Sequence, residues 1–375
     1  MRSGGPGPVR QAVLAARAHT LLLADAYARA LADSGLRVPY RPTLNPPLWE
    51  WGHVAWFQEY WIARNRQRSA GIACDPAHER AASLLPGADA LYDSGRVAHR
   101  SRWDLALPGP AGTREYLDAT LAQTLDLLER LPSEATDDEL YFFRLVALHE
   151  EMHAEAAMYM ARQLGVPMAV QQRGPSLSGP QVALRVPAQT FTLGSAGAGF
   201  AFDNELGAHP VRLESFEIDT QPITWSRFQP FVEDGGYRRR EWWSEEGWGW
   251  LQTAAHQPPG GEFAAPAIHL NAYEAEAWCR WAGRRLPTEA EWECAALTQP
   301  GFSWGRVWEW TASTFLPYPG FEPHPYRDYS APWFGSRRVL RGACDATSSW
   351  LAHPRYRNFF EPDRKDVFAG FRSCA

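Results

Sequence analysis

Residues 148–155 read Leu-His-Glu-Glu-Met-His-Ala-Glu and lie in the middle of a long helical pattern. His149 and His153 are four residues apart, so on a helix their side chains lie on the same face, one turn apart. Two imidazoles in this arrangement can bind one metal ion. A third candidate ligand, His53, ends the segment Asn-Pro-Pro-Leu-Trp-Glu-Trp-Gly-His at residues 45–53. If the three histidines meet, the helices around them form the scaffold of a metal site.

The composition argues against several classes of partner. With 375 residues the chain can form two domains, each with a sizeable core. Its net charge of −6 argues against a nucleic-acid binder, and no apolar run is long enough to span a membrane. The five cysteines are scattered and form no Cys-x-x-Cys pair, so we expect free thiols and a cytoplasmic location.

Residues 1–168 predict a first domain of four helices that form an up-down bundle. Gly35 is typical of the position after a helix C-terminus, and Asn45-Pro46 is a typical helix start. Thr136 and Glu139 predict a capping box at the start of the last helix. The predicted helices cover residues 11–34, 46–68, 113–131 and 136–163.

The rest of the chain has a different pattern. Residues 169–182 are rich in Gly, Pro, Ser and Gln and predict a linker. Residues 183–375 predict an irregular domain of short strands, helices and long loops, with strands at residues 191–193 and 211–218. Asn271 and Thr288 predict two further helix starts with capping boxes. We therefore expect an α+β protein in which a mixed domain follows the helical bundle.

The His-Glu-Glu-Met-His segment at residues 149–153 allows several interpretations. Its histidines can be ordinary helix residues that bond to neighbouring glutamates. The segment also fits His-Glu-x-x-His, a zinc metallohydrolase motif in which Glu150 is the general base. Together with His53 it can instead bind Fe(II) and leave coordination positions for substrate and O2. A di-iron site would use Glu-x-x-His at residues 50–53 and 150–153, but the first predicted helix contains no glutamate to complete it.

Longer stretches of the chain resemble one known family. Residues 45–59 and 149–153 resemble the DinB-like four-helix bundle of the ergothioneine-type sulfoxide synthases. The second half is similar to that family's domain related to formylglycine-generating enzymes, which has an irregular, C-type-lectin-like fold. The matching stretches follow the family's order over nearly the whole chain. In the second half they are residues 202–205, 219–224, 285–293, 307–311, 318–321, 339–342 and 368–372.

The resemblance implies a mononuclear non-haem iron oxidoreductase. Such an enzyme uses Fe(II) and O2 to join a sulfur or selenium donor to the imidazole carbon of hercynine, the trimethylated betaine of histidine. His53, His149 and His153 match the family's iron ligands. The family also places a tyrosine of the second domain close to the iron, where a phenol can donate a proton or a hydrogen atom. Tyr318 lies in the matching region, and Tyr326 is the alternative.

One segment implies where hercynine binds. Residues 357–365 read Arg-Asn-Phe-Phe-Glu-Pro-Asp-Arg-Lys and align with the family's Arg-Asn-Trp-Asp-x-Pro-x-Arg-Arg. The match implies that Asn358 and Phe359 hold the betaine end of hercynine, with the phenylalanine ring facing the trimethylammonium group. Arg364 matches an arginine of the same segment and is a further candidate for substrate binding.

Two departures from the family pattern concern the donor. Phe360 stands where the branch that uses γ-glutamylcysteine carries an aspartate, and Met152 stands where it carries a glutamine. Both changes remove polar partners of a peptide donor, which would then bury charge without compensation. The Asn-Phe-Phe-x-Pro pattern and the ending Phe-Ala-Gly-Phe-Arg-Ser-Cys-Ala resemble the selenoneine synthase branch, whose donor is the selenosugar 1-seleno-glucose. The resemblance therefore implies a selenoneine synthase, and a sulfoxide synthase that takes cysteine or γ-glutamylcysteine is the alternative.

Two other functions stay open for this sequence. A formylglycine-generating oxidase needs a close pair of cysteines near the C-terminus, whereas Cys344 and Cys374 are far apart in sequence. DinB-like and lectin-like domains also occur as binding modules without catalysis. Iron bound to the purified protein would distinguish an enzyme from a binding module.

Overall fold

The computed structural model describes residues 1–168, 182–197, 199–253 and 260–375. Its first part is a bundle of four long helices, with one short helix between the second and the third of them. The helices of this part are α1 (Pro6–Ala30), α2 (Pro47–Trp61), the short α3 (Ala88–Tyr92), α4 (Pro110–Glu129) and α5 (Asp137–Leu164). Three of the long helices begin with a proline, whose fixed φ suits the first helical turn.

Both ends of α5 match the sequence prediction. Thr136 Oγ1 accepts a hydrogen bond from the Glu139 backbone N–H, and the Glu139 carboxylate accepts one from the Thr136 N–H. This capping box satisfies donors that the first helical turn leaves open. At the other end Gly165 adopts φ 68°, a left-handed conformation that suits glycine. The helix between these ends spans 28 residues and carries His149 and His153.

Helix α1 starts earlier and ends earlier than predicted. It begins at Pro6 instead of residue 11, and it ends at Ala30 instead of residue 34. Residues Ala32–Ser34 form a separate 3-10 turn, which Gly35 closes with φ 60°. Gly35 is therefore a terminating glycine, but it terminates the short turn and not the helix itself.

Helix α2 is shorter than predicted. Its N-cap residue is Pro46 rather than Asn45, and the helix ends at Trp61, well before the predicted end at residue 68. Beyond this end, the Asn65 side chain accepts a hydrogen bond from the Gln67 N–H at 3.0 Å. Such a local turn competes with the hydrogen bonds of a continued helix.

Helix α2 is buried on all sides, which is the property of a helix in the middle of a core. It packs against α4 and α5 and is covered by α1 and α3. Trp49 and Phe57 on this helix are 1% and 2% exposed. Because every face is covered, the polar residues His53 and Glu50 of α2 must find partners inside the protein.

The second part of the chain combines short helices with short strands. Its helices are α6 (Trp225–Glu233), α7 (Glu245–Thr253), α8 (Ala272–Trp281) and α9 (Glu289–Thr298). Its strands are β1 (Ala183–Val186), β2 (Gln189–Leu193), β3 (His209–Leu213), β4 (Phe216–Asp219), β5 (Val307–Thr314), β6 (Arg338–Ala343), β7 (Asn358–Phe360) and β8 (Ala369–Gly370). Strands β1 and β4 pair antiparallel, as do β2 and β3, and a third sheet has the order β7-β6-β5-β8 with β5 and β8 parallel. The chain thus has the expected α+β architecture.

The strand predicted at residues 211–218 is wrong, because the structure has two strands there. β3 ends at Leu213 and pairs with β2, whereas β4 begins at Phe216 and pairs with β1. A continuous alternating pattern therefore crosses two separate sheets. Both predicted capping boxes of this part are confirmed: Asn271 precedes α8, and Thr288 precedes α9.

A buried ion pair holds β7 in place. Arg357, directly before β7, donates to the Glu289 carboxylate at 2.8 and 3.0 Å. It also donates to the backbone carbonyl of Asn204 at 2.8 Å. The Arg357 side chain is fully buried, so these hydrogen bonds compensate for the water that it has lost.

The two parts of the chain are in direct contact along α5. Glu155 accepts hydrogen bonds from Trp308 Nε1 and from Thr347 Oγ1, both at 2.6 Å. The Tyr356 hydroxyl donates to Met152 Sδ at 3.3 Å. These contacts place the second part over the stretch of α5 that carries two of the candidate metal ligands.

Some sequence predictions stay predictions. The linker at residues 169–182 lies, apart from Val182, outside the described residues, and the division into two domains at this point stays a prediction.

All five cysteines are buried free thiols, so Cys344 and Cys374 form no disulfide. Within the described ranges, no helix combines the length and the apolar character needed to cross a bilayer. The cytoplasmic location remains a prediction.

Candidate metal centre and substrate pocket

Three histidines from two helices meet inside the helical bundle. His53 lies on α2, and His149 and His153 lie one turn apart on α5. One ring nitrogen of each histidine lies within 4.8 Å of the corresponding nitrogens of the other two. The ring centroids are 4.5 Å apart for His149 and His153, and 4.8 Å apart for His53 and His153. The residues that the sequence singled out as metal ligands are therefore neighbours in space.

The hydrogen bonds of the imidazoles leave nitrogen atoms available for a metal. His53 Nδ1 donates to the backbone carbonyl of Tyr92 at 2.8 Å, and His153 Nδ1 donates to the Glu50 carboxylate at 2.6 Å. Because Nδ1 carries the proton in both rings, Nε2 has a free lone pair. His149 Nε2 is buried and has no hydrogen-bond partner among the described residues. A metal ion would satisfy this nitrogen, so the three rings fit an ion that prefers imidazole ligands.

Burial keeps two of the imidazoles in the neutral form that binds metals. It lowers the pKa of His53 to about 3 and lowers the pKa of His149 well below its ordinary value, and the nearby His153 lowers both further. Burial by itself raises the pKa of Glu50, but attraction to His153 and the hydrogen bond between them outweigh it and lower that pKa to about 2. Glu50 is therefore a carboxylate, which can accept the hydrogen bond from His153.

Aromatic rings cover one face of two of the histidines. The Trp49 ring stacks on His53 with 4.9 Å between centroids and an angle of 9°. The Phe57 ring stacks on His149 with 3.6 Å between centroids and an angle of 7°. These flat contacts restrict rotation of the imidazoles and keep water from one side of each ring. Both aromatic residues belong to α2, so this helix supplies one candidate ligand and also packs against a second.

Glu150 is directed away from the candidate metal centre. Its carboxylate accepts hydrogen bonds from Arg17 Nε at 2.7 Å and from Arg17 Nη2 at 3.2 Å, and both side chains are buried. This placement argues against the zinc metallohydrolase, in which Glu150 would act as a general base beside the metal. It also argues against a di-iron site, because Arg17 already occupies the carboxylate that the second Glu-x-x-His would supply.

A cavity of about 260 Å³ opens beside His149 and His153, and we call it the inner chamber. It lies between α5 and β7. All three residues of β7, Asn358–Phe360, line its wall, and so does Met152. The structure thus brings most of the residues predicted for substrate binding to the same cavity as two of the candidate metal ligands.

The aromatic residues of β7 are supported from behind. The Phe359 ring stacks on Phe315 with 4.1 Å between centroids, and it meets Tyr329 edge-on at 5.9 Å. Arg364, the remaining residue predicted for substrate binding, lies outside the described wall of the inner chamber. Its guanidinium lies 5.1 Å from the Phe360 ring centroid. Arg364 can therefore support Phe360, but it does not line the cavity beside the histidines.

The structure places the two candidate tyrosines differently from the expectation. Tyr318 is buried away from the inner chamber, where its hydroxyl donates to Glu289 at 3.0 Å and the Arg357 guanidinium lies 3.9 Å from its ring. Tyr326 lines the chamber, and its ring centroid lies 6.0 Å from that of His149. The residue preferred from the sequence thus belongs to the ion pair that anchors β7, and the alternative residue lies at the candidate site.

The inner chamber also contains residues that the sequence did not indicate. The Tyr329 hydroxyl donates to the Tyr356 hydroxyl at 3.1 Å, and both rings line the cavity. Glu155 and Trp308, which bond to each other, line it as well. Tyr356 directly precedes the segment that resembles the family, so its neighbours could have indicated it. Glu155 lies in the stretch 148–155 and Trp308 in the matching stretch 307–311, but neither was predicted as a site residue. Tyr329 is brought there by long-range packing, which no local pattern records.

Comparisons with known proteins match both parts of the chain. The DinB superfamily matches residues 19–161, and the sulfatase-modifying factor enzyme 1-like domain matches residues 172–306. The chain is 31% identical to the hercynine oxygenase of Mycolicibacterium smegmatis, over 95% of this chain and 96% of that protein. It is 32% identical to the hercynine oxygenase of Mycobacterium tuberculosis, again over 95% of this chain and 96% of that protein. The formylglycine-generating enzyme of Streptomyces coelicolor is 28% identical over 51% of this chain and 88% of that enzyme.

Replacing His53, His149 or His153 by alanine is expected to remove the bound metal, because each change deletes one of three imidazole ligands. Metal analysis of the purified variants by mass spectrometry checks this expectation. His209→Ala is the matched control, since His209 is a half-buried histidine of the second part and should keep the metal. Wild-type metal content in any of the three ligand variants would contradict the site.

Glu150→Gln is expected to lower stability and leave the metal in place. The change removes one charge of a buried ion pair and leaves Arg17 uncompensated, which costs about 3–5 kcal/mol. Urea unfolding gives the free energy of unfolding, and metal analysis gives the occupancy. Glu115→Gln on the exposed face of α4 should change the free energy of unfolding by less than about 0.5 kcal/mol. If the variant lost the metal and kept its free energy of unfolding, Glu150 would act at the metal and not in the ion pair with Arg17.

Proposed function

The chain belongs to the hercynine oxygenase family, the ergothioneine-type sulfoxide synthases, and on that basis we propose that it joins 1-seleno-glucose to hercynine with O2 as the oxidant. The observation that carries this proposal is the meeting of three imidazoles beside an aromatic chamber whose wall includes Asn358–Phe360. The name of the relatives supports hercynine as the acceptor. The selenosugar is the finer part of the proposal, and it rests on Phe360 and Met152.

We propose Fe(II) as the metal held by His53, His149 and His153. Three imidazole ligands would leave part of its coordination sphere open, and the bound ion would supply positions for the donor and O2 together with one-electron redox chemistry. Tyr92 and Glu50 hold two of the imidazoles in the tautomer that leaves Nε2 free. The stacked aromatic rings of α2 hold bulk water away from these ligands.

The inner chamber suits the trimethylammonium group of hercynine. A quaternary ammonium cannot donate a hydrogen bond, so the faces of aromatic rings are fitting partners for it. Phe359, Tyr329 and Tyr356 line the chamber and can supply such faces. The amide of Asn358 can donate to the betaine carboxylate. With its betaine end held there, hercynine directs its imidazole towards the end of the chamber formed by His149 and His153.

We assign the donor of a proton or hydrogen atom to Tyr326 rather than to Tyr318. Tyr326 lines the chamber near His149, whereas the Tyr318 hydroxyl is bound to Glu289. Burial raises the pKa of Tyr326, so the phenol keeps its proton at neutral pH. A protonated phenol in this position can donate to reduced oxygen species that form at the site.

The proposed reaction replaces two bonds to hydrogen by one C–Se bond. The imidazole carbon of hercynine loses its hydrogen, the selenol loses its proton, and O2 accepts the electrons. One oxygen atom leaves as water with these two hydrogens, and the other is transferred to selenium. The product is then the selenium counterpart of the sulfoxide that gives the family its name, and it is a precursor of selenoneine.

Two residues of the inner chamber disfavour a peptide donor. Phe360 presents an apolar ring, and the sulfur of Met152 already accepts the Tyr356 hydroxyl. A zwitterionic donor would lose hydration there without gaining ionic partners, which is unfavourable. A sugar selenolate carries its only charge on selenium, which a bound metal ion could neutralise. Cysteine and γ-glutamylcysteine are the competing donors that an experiment must include.

The donor is tested by comparing 1-seleno-glucose, cysteine and γ-glutamylcysteine with the same iron-loaded enzyme, hercynine and O2. We expect kcat/KM to be at least about tenfold higher for 1-seleno-glucose, a difference of about 1.4 kcal/mol. Oxygen consumption gives the rates, and mass spectrometry identifies the product. The His153→Ala variant gives the background reaction of the three donors. A higher kcat/KM for γ-glutamylcysteine would make the chain a sulfoxide synthase for thiols.

Phe359→Ala is expected to weaken hercynine binding. Loss of a cation–π contact of about 0.5–2 kcal/mol raises the dissociation constant by about twofold to thirtyfold. Titration of the iron-loaded protein without O2 measures this constant, and metal analysis should show unchanged iron. Phe359→Trp keeps an aromatic face and should bind hercynine as the parent chain does. Equal affinity of the alanine variant and the parent would remove Phe359 from the site.

The two tyrosines are separated by matched phenylalanine variants. Tyr326→Phe is expected to slow turnover by about 100-fold to 10,000-fold, because it deletes the proposed proton or hydrogen donor. Its hercynine affinity and iron content should not change. Tyr318→Phe removes a hydrogen bond to Glu289 and should mainly lower thermal stability. If Tyr318→Phe slowed turnover and Tyr326→Phe left it unchanged, Tyr318 and not Tyr326 would be the donor of the proton or hydrogen atom.

A further inference from the structure

One buried carboxylate holds both ends of the loop that carries Tyr326, and we infer that Asp203 is the positioning residue for this phenol. The loop covers residues 324–330, and we call it the tyrosine loop. All its residues are described, and they belong to no helix or strand. The inference rests on the proposed function, because that function assigns the donor of a proton or hydrogen atom to Tyr326. Asp203 would act through Tyr326 and would not touch the substrates itself.

Asp203 contacts the first and the last residue of the tyrosine loop. Its Oδ2 accepts a hydrogen bond from the His324 backbone N–H at 3.4 Å, and its Oδ1 accepts one from the Ser330 hydroxyl. Asp203 is 3% exposed and Ser330 is fully buried, so water does not compete for these bonds. The Asn204 side chain donates to Ser330 Oγ at 3.0 Å, which leaves the hydroxyl proton for Asp203. One side chain thus fixes the distance between the two ends of the loop.

A further contact ties the tyrosine loop to helix α5. The Tyr141 hydroxyl lies 3.0 Å from His324 Nδ1, within hydrogen-bond distance, and both side chains are buried. Tyr141 and His149 belong to the same helix. Because the rise of a helix per residue is fixed, this bond sets the position of the loop relative to a candidate metal ligand. His324 is therefore held from two sides, its backbone by Asp203 and its ring by α5.

Between these ends, the aromatic residues of the tyrosine loop face the inner chamber and its polar residues face solvent. Tyr326 and Tyr329 line the chamber, whereas Arg327 and Asp328 are exposed. The Tyr329 N–H donates to the Tyr326 carbonyl at 3.2 Å, and the two ring centroids lie 6.0 Å apart. Exposed residues add few buried contacts, so the ends of the loop and the two rings determine where it lies.

The tyrosine loop packs closely on Asp203 and its neighbours. Tyr326 and Asp203 line the same small cavity, which measures only about 10 Å³. The Phe202 ring, next to Asp203 in sequence, stacks on Tyr329 with 4.5 Å between centroids. Tyr326 also meets the Phe57 ring edge-on at 4.9 Å. Because so little free space remains, a displacement at Asp203 is transmitted to the Tyr326 ring.

The chemistry proposed for Tyr326 is sensitive to such a displacement. A proton is transferred efficiently only when donor and acceptor lie within about 2.6–3.2 Å of each other. A misplacement of about 1 Å can slow a reaction by about 100-fold. Asp203 should therefore affect turnover more than hercynine affinity, because the proposed hercynine partners Asn358 and Phe359 belong to β7.

The test is a double-mutant cycle of Asp203→Asn and Tyr326→Phe in the iron-loaded enzyme. Asparagine keeps the size of the side chain but replaces one acceptor oxygen by an NH2 group, so it can hold only one end of the loop. We expect Asp203→Asn to lower kcat by about tenfold to 100-fold, with hercynine affinity and iron content unchanged. In the Tyr326→Phe background the same change should lower kcat by less than about twofold, because no phenol hydroxyl is left to position.

Asp219→Asn is the matched control. Asp219 is another buried aspartate that accepts from a backbone N–H and a serine hydroxyl, both of Ser373, at 2.9 and 2.6 Å. It is not part of the described wall of the inner chamber, so this variant should lose stability and keep its kcat per bound iron. Ser330→Ala releases one end of the tyrosine loop without changing Asp203, so it tests the inference even if Asp203→Asn folds poorly. Its kcat should fall by about tenfold, again only when the Tyr326 hydroxyl is present.

The outcomes separate this inference from the proposed function. If Tyr326→Phe slows turnover but Asp203→Asn and Ser330→Ala keep the parent kcat, Asp203 does not position the phenol, and the proposed function stands. If Tyr326→Phe keeps the parent kcat, the assignment of the donor and this inference are both wrong. If Asp203→Asn slows turnover equally with and without the Tyr326 hydroxyl, Asp203 acts through the fold or through another group, and the inference is overturned.

Discussion

The orientation of buried imidazoles by hydrogen bonds from the protein is the constraint on which the rest of the site depends. His53 is held by the Tyr92 carbonyl and His153 by the Glu50 carboxylate. A buried His149 nitrogen without a partner is tolerable only if something else satisfies it, and a metal ion can. This requirement explains why α2 is buried on every side although it carries polar residues. Helix α2 carries the candidate ligand His53 and also Glu50, the hydrogen-bond partner of His153, so it must bring both side chains into the core.

Among its described residues, the second part of the chain completes the pocket without supplying a candidate metal ligand. Its Trp308 and Thr347 bond to Glu155 on α5, only two residues after His153. β7 is held by the buried pair of Arg357 and Glu289, and all its residues line the inner chamber. The helical part thus positions the candidate ligands, and the mixed part determines which molecules fit beside them. This division permits a change of donor by changes at β7 that leave the metal centre intact.

Features predicted correctly from the sequence depend on neighbours along the chain. The capping boxes at Thr136, Asn271 and Thr288 need only a hydroxyl or amide and a glutamate three residues later. The prediction of one continuous strand at residues 211–218 was wrong, because the alternating pattern does not reveal that the chain changes sheets after Leu213. The predicted end of α2 at residue 68 was wrong for a related reason. The sequence pattern could have continued as a helix, but the turn at Asn65 forms instead.

The sequence by itself determined that His149 and His153 share one face of a helix, because residues four apart on a helix always lie on the same face. It also determined the family, through motifs spread over the whole chain. Only the tertiary structure decided that Glu150 pairs with Arg17, and that Tyr326 rather than Tyr318 lies beside the histidines. The physical reason is the range of the interactions. Helical spacing is local, whereas the partner of a buried charge and the position of a loop residue depend on contacts between segments far apart in the chain.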